Sequence, residues 1–155
     1  MSKKYWIYDF TIGRLGIAVE GEFLKRIFFS EYPIKGYIEE ETDFIKNVSI
    51  ILEEYLIGKR YEFDIPLALD GTNFQKAVWK ALTEIPYGET RSYLEVASII
   101  GNPKAVRAVG LANNRNPIAI IVPCHRVIGK NGKLVGYAGG LQMKEDLLKL
   151  ELANK

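Results

Sequence analysis

The sequence predicts an α/β chain of the α+β kind: a small strand-and-helix domain packed on a mostly helical domain that carries a helix-turn-helix. Three observations point there. Short β-branched and aromatic runs separated by glycine turns fill the start of the chain. One amphipathic helical stripe follows them. The remainder is punctuated by two capping boxes and a Gly-Asn-Pro step, the marks of consecutive short helices.

Tyr5–Phe10, Arg14–Glu20 and Leu24–Phe29 read as strands, with Thr11-Ile12-Gly13 and Gly21-Glu22 as turns. Phe44, Ile45, Val48, Ile51, Leu52, Tyr55 and Leu56 then share one helical face, which Gly58 terminates. Ile65–Gly71 looks extended, so the boundaries read as a domain over 1–66, a linker over 67–71 and a domain over 72–155. Thr72-Asn73-Phe74-Gln75 and Ser92-Tyr93-Leu94-Glu95 are the capping boxes. The second of these starts a helix that runs to about Ile100. Gly101 stops it, Asn102 caps the next, and Pro103 takes the first position of a helix over Pro103–Asn113. Two helices joined this tightly form a helix-turn-helix.

The chain has 155 residues, 48% hydrophobic and 26% charged, enough for one ordinary domain or two small ones. One cysteine and one histidine exclude an internal disulfide and a Cys/His zinc site. Met1-Ser2-Lys3-Lys4 leads into Tyr5-Trp6-Ile7-Tyr8-Asp9, where a charge comes too soon for the apolar core of a signal peptide, so an intracellular protein is expected, without a membrane span. Charge is unevenly shared. Residues 1–71 carry 9 Lys+Arg against 13 Asp+Glu, whereas residues 72–155 carry 12 against 6. The second half is therefore the one suited to a polyanion.

The second helix of the pair is Pro103-Lys104-Ala105-Val106-Arg107-Ala108-Val109-Gly110. Base-specific readout in the major groove calls for several long hydrogen-bonding side chains. Small residues with one inserted basic chain instead suit close approach to a minor groove that is distorted without being read. A core helix with Ala and Gly at tight contacts is the structural alternative.

Chemistry concentrates at Cys124, the only cysteine, which directly precedes His125, the only histidine, in Ile120-Ile121-Val122-Pro123-Cys124-His125-Arg126-Val127. A thiol attacks as thiolate, so a basic neighbour that lowers its pKa is expected. Most lone cysteines are inert core residues, but this one lies beside an imidazole at the end of an apolar run.

Pro123-Cys124-His125-Arg126, preceded by Asn116-Pro117, resembles the O6-alkylguanine-DNA alkyltransferase (methylated-DNA–protein-cysteine methyltransferase) family. The likeness runs from about Phe74 to Glu151. It takes in Gly88-Glu89-Thr90, Ser92-Tyr93, Gly101-Asn102-Pro103-Lys104, Ala108-Val109-Gly110, Tyr137-Ala138-Gly139-Gly140 and Lys144-Glu145. The first half matches only in architecture.

The resemblance implies direct, irreversible transfer of an alkyl group from O6-alkylguanine in DNA to Cys124, with O4-alkylthymine as a second substrate. Each molecule would act once. His125 would be the base, through a bound water, and Glu151, on a C-terminal helix Leu141–Leu152, would orient the imidazole. Tyr93 would donate to the departing guanine and help turn the nucleotide out. Asn116 would tie the second helix to the active-site turn. The carbonyls of Cys124 and Val127 and the N–H of Ala138 would contact the base, with Tyr137 beside it. Asn113 and Ala119 would line the alkyl pocket, at positions where several relatives differ.

Arg107 would fill the space of the flipped base, the extrusion that chemistry on a stacked base requires. Lys104, Ala105, Ala108, Gly110, Arg115, Arg126 and Ser92 would complete the DNA contact. No cofactor or metal is expected. The partner would be double-stranded DNA without sequence preference, bound by a monomer in the cytoplasm or on the nucleoid. Three other classes fit parts of the pattern: a sensor that binds alkylguanine without chemistry, a Cys-His-Glu hydrolase, and a transcription factor.

Overall fold

The computed structural model describes residues 1–29 and 33–155. It divides into two compact units, Met1–Leu69 and Asp70–Lys155.

In the first unit β1 (Lys3–Phe10), β2 (Gly13–Glu20) and β3 (Phe23–Phe28) form an antiparallel meander, with Trp6 opposite Ile17 and Ile17 opposite Ile27. A two-residue strand, β4 (Ile38–Glu39), adds to β1 in parallel and gives the order β3-β2-β1-β4. The sequence reading missed β4, since two residues carry no alternation to detect. β2 is buried from Leu15 to Val19 because it is an inner strand. Gly16 is needed there: a Cβ would come within 2.1 Å of the Phe28 ring, which packs edge-on to Tyr5 at 6.0 Å. α1 (Asp43–Leu56) contacts β1 and β2 and buries Ile45, Val48, Leu52 and Tyr55. The stretch read as extended is hydrogen-bonded to β3, with Leu24 N donating to Pro66 O and Ala68 N to Leu24 O.

The second unit holds α2 (Asn73–Thr83), β5 (Arg91–Ser92), α3 (Tyr93–Ile99), α4 (Val106–Asn114), β6 (Val127–Ile128) and α5 (Leu141–Asn154). Both capping boxes form: Thr72 and Gln75 close α2, and Ser92 and Glu95 close α3. Each such cap stabilises its helix by about 1 kcal/mol. α3 ends in a Schellman arrangement, with Gly101 at φ 82°, Asn102 N donating to Ala97 O and Gly101 N to Ser98 O. α2, α3 and α4 contact one another, and Trp79 Nε1 donates to Ala112 O at 2.9 Å, bracing α4 from behind.

The second helix of the pair starts later than expected. Pro103 and Lys104 form a turn closed by Ala105 N donating to Asn102 O at 3.0 Å, and α4 begins at Val106 without a side-chain cap. Proline's fixed φ suits the second position of such a turn as well as the first position of a helix. Asn102-Pro103 therefore signals both. α5 continues to Asn154, two residues past the expected end.

Candidate active site

The segment between α4 and β6 is a loop clasped by one asparagine. Asn116 Nδ2 donates to Val122 O at 2.7 Å, and Asn116 Oδ1 accepts from Ile118 N at 3.0 Å. Asn116 N also donates to Asn113 O, so the residue joins the last turn of α4 to the loop. Within the clasp, Ile120 adopts φ 73° while fully buried, a left-handed conformation rare for a β-branched side chain. Such strain costs about 1–3 kcal/mol and persists only where the surroundings over-determine it. Here the backbone bonds Val122 N to Ile118 O and Ile121 N to Ala119 O surround it.

Pro123, at φ −81° and ψ 66°, makes an inverse γ-turn in which Cys124 N donates to Val122 O at 2.8 Å. A single 3₁₀ turn, Cys124–Arg126, then leads into β6. β6 pairs in parallel with β5, Arg91 opposite Val127, and β5 runs directly into α3. Four backbone residues thus set Tyr93, at the head of α3, in register with the thiol's turn.

Cys124 is 6% exposed, and burial pushes its thiol up to about 11. A hydrogen bond from Asn116, the charge of Lys144 and the residue's own backbone N–H pull the other way. The expectation of a lowered thiol pKa is therefore corrected: in the resting site desolvation outweighs the neighbours, and Cys124 is a neutral thiol.

His125 is fully buried, and its Nε2 lies 2.7 Å from Glu151 Oε2. Burial lowers its pKa, against the raising effect of Glu151, so the imidazole is neutral near pH 7. With Nε2–H donated to the carboxylate, the lone pair falls on Nδ1. Glu151 is a hub on α5. Its Oε1 accepts from Arg126 Nε at 2.8 Å and Gly88 N at 3.1 Å, and its Oε2 also accepts from Arg126 Nη2 at 3.0 Å.

Arg126 is consequently not available to phosphate. It is 6% exposed, grips Glu151 with two nitrogens, donates Nη1 to Ile85 O at 2.7 Å and lies over the Tyr87 ring. Its expected DNA contact is corrected. A bidentate guanidinium beside a buried carboxylate satisfies a charge that would otherwise be costly.

The other expected residues fall into two groups. Tyr93, Asn113, Asn116, Val127 and Tyr137 lie about the thiol. Val127 N donates to Cys124 O, Asn113 Nδ2 approaches Cys124 O at 3.4 Å, and the charge of a Cys124 thiolate would raise both tyrosine pKa values, which burial already raises. Ala138 is exposed on the segment after Tyr137. Lys104, Arg107, Ala108 and Arg115 are exposed along or beside α4, with Ala105 and Gly110 half-buried, while Val109, Ala112 and Asn113 face inward. Ser92 Oγ caps α3, accepting from Glu95 N at 3.0 Å.

One contributor was quoted in the sequence only as part of a motif. Lys144 is fully buried on the α5 face that also carries Leu147 and Glu151. Its Nζ donates to Val135 O at 2.9 Å and to Gly136 O at 3.4 Å, and its charge acts on Cys124. Its spacing of three and seven residues from Leu147 and Glu151 was the available signal.

Residues 73–153 match the family model described as 6-O-methylguanine DNA methyltransferase, DNA binding domain. That covers more than half of the chain, including α2, the α3–α4 pair, the cysteine turn and nearly all of α5. The chain belongs to the methylated-DNA–protein-cysteine methyltransferase family. It is 57% identical over 152 residues to the methylated-DNA–protein-cysteine methyltransferase of Methanosarcina acetivorans, covering 95% of this chain and 97% of the relative. The Mycolicibacterium paratuberculosis methyltransferase is 64% identical over 152 residues, covering 96% of this chain and 92% of the relative. A crystal structure of Mycobacterium tuberculosis OGT in complex with DNA superposes with a TM-score of 0.92 at 49% identity, covering 97% of this chain and 94% of that one. The match to these methyltransferases extends through the first unit, where the sequence reading found likeness only in architecture. Among the described residues, no helix is long and apolar enough to cross a membrane.

Proposed function

We propose that this protein repairs DNA by moving the alkyl group of O6-alkylguanine onto the sulfur of Cys124, once per molecule. The observation that carries this reading is the buried 2.7 Å contact of His125 with Glu151, on the residue directly after the only thiol. A neutral thiol with a neutral imidazole beside it needs proton transfer only as the reaction proceeds. His125 takes the Cys124 proton through a water, the sulfur attacks the alkyl carbon, and the carbon–oxygen bond breaks with its electrons passing to the guanine. Glu151, gripped by two Arg126 nitrogens, steadies the imidazolium and does not itself take the proton. Tyr93, kept protonated by burial, donates to the ring as charge develops there. The products are a thioether and guanine, whose N1 takes up a proton from water as His125 returns its own, and nothing in this scheme regenerates the thiol.

DNA approach is proposed along the exposed face of α4. Val106, Arg107, Ala108 and Leu111 lie there with few hydrogen-bonding groups, which supports minor-groove binding without sequence reading. Arg107, exposed on α4, is the long side chain proposed to enter the stack as the damaged nucleotide leaves it. A duplex containing O6-methylguanine should add the mass of one methylene to the peptide containing Cys124, by intact and peptide mass spectrometry. Cys124→Ala should gain no mass yet still shift the same duplex in a gel. Binding without mass gain by the native chain would make it a sensor instead.

A further inference from the structure

We infer that Asn113 reads the guanine rather than its alkyl group, with Asn113 Oδ1 accepting from the exocyclic 2-amino group. The inference rests on the alkyl-transfer reading and deepens it. Asn113 is the penultimate residue of α4 and is 2% exposed. Its Nδ2 lies 3.4 Å from Cys124 O, and a carbonyl can face only the donor end of an amide, which fixes which end is which. The amide also reaches the Tyr93 hydroxyl. Asn113 Oδ1 is buried without a hydrogen-bond partner. Buried orphan acceptors are rare in folded proteins, and each calls for an account.

The substrate supplies one. Alkylation at O6 removes the N1 proton, so N1, N3, N7 and O6 of the base can only accept. The 2-amino group is its single donor. The resemblance gives this amine to the carbonyls of Cys124 and Val127. Cys124 O accepts from Val127 N and faces Asn113 Nδ2 at 3.4 Å, so the Asn113 amide lies beside one of those two carbonyls. Asn113 Oδ1, on the same amide, is a further acceptor beside those carbonyls. An alkyl group has nothing to donate, so a purely steric role would leave the oxygen unmet. O4-alkylthymine also has no donor on its pairing edge, and the same oxygen disfavours it.

The test uses the full chain and two duplexes of one sequence, carrying O6-methylguanine or O6-methylhypoxanthine, which differ only by the 2-amino group. The native protein should react about tenfold faster with methylguanine, the scale of one buried neutral hydrogen bond. Asn113→Leu and Asn113→Ser should lower that ratio severalfold, chiefly by slowing methylguanine. Both rates are taken on the same preparation, so an inactive fraction cancels from the ratio. A native ratio near one, or variants that keep the native ratio, would overturn the assignment. A native protein that leaves both duplexes methylated would instead overturn the alkyl-transfer reading, and this one with it.

Discussion

The Tyr93 hydroxyl donates to the carbonyl oxygen of Val135 at 3.0 Å, across 42 residues of chain. Lys144 Nζ donates to the same oxygen at 2.9 Å. The phenolic hydrogen proposed to serve the guanine is thus engaged by the protein's own backbone in the resting state. When Tyr93 turns to the base, Lys144 keeps that carbonyl satisfied, so the exchange strands no buried acceptor.

Lys144→Met should therefore slow transfer from duplex and from free O6-benzylguanine alike. It removes both the donor to Val135 O and the charge that helps lower the Cys124 pKa. Thiol titration, followed by ultraviolet absorbance of the thiolate, should move further up. An unmoved titration would show that the lysine acts only on the backbone.

Arg107→Ala should behave differently. The side chain is exposed on α4, so the reaction with free O6-benzylguanine should stay within about twofold. Repair in a duplex should fall by tenfold or more, since base extrusion costs a few kcal/mol. Equal losses on both substrates would assign Arg107 to the fold.

Glu151→Gln leaves the Arg126 guanidinium buried with its charge uncompensated, and removing one partner of such a pair costs about 3–5 kcal/mol. The melting temperature should drop by roughly 10 °C for a chain of this size. Glu151→Gln with Arg126→Met should recover part of the stability but not the activity, since His125 still lacks its ionised partner.

The pH dependence of stability follows from the Cys124 and His125 shifts. The Cys124 pKa is raised in the fold, so above about pH 9 the unfolded chain loses this proton first and stability falls until the folded value of about 11 is passed. Two units correspond to about 3 kcal/mol. Urea melts between pH 8 and 11 should show this loss in the native chain, and it should be absent from Cys124→Ala. The His125 pKa is lowered, so stability also declines as pH drops below about 6.5, where the unfolded imidazole takes up its proton.

Alkylated protein should melt lower than free protein. Ile118 to Val127 are all buried about the reacting sulfur, and overpacking such a site typically costs about 1–3 kcal/mol. Benzylated protein should melt below methylated protein and be cut faster by protease. Identical melting curves for all three forms would show that the site takes up the product without strain.

What the sequence made legible was mostly local. Cys124 beside His125, the two capping boxes and the apolar stripe of α1 are patterns within a few residues, and each has its counterpart in the structure. Arg126 shows where this stops. Positive charge next to a motif looks the same whether the guanidinium faces phosphate or a buried carboxylate 25 residues on, and only the placement of Glu151 separates the two. β5 and β6 are two residues each, too short for any period, although they set the spacing of Tyr93 and Cys124. The thiol's pKa was misjudged because burial, unlike a neighbour's charge, belongs to the whole fold.

The neutral resting thiol has a consequence outside DNA chemistry. Peroxides convert thiolates, not thiols, to sulfenic acid, and soft electrophiles share that preference. A Cys124 that stays protonated at physiological pH, inside a nearly closed shell, is a poor target for both. Because the proposed reaction uses each molecule once, any sulfur lost to oxidation is a repair event lost. The burial that slows ionisation thereby sets how long an idle molecule remains competent in an oxidising cell.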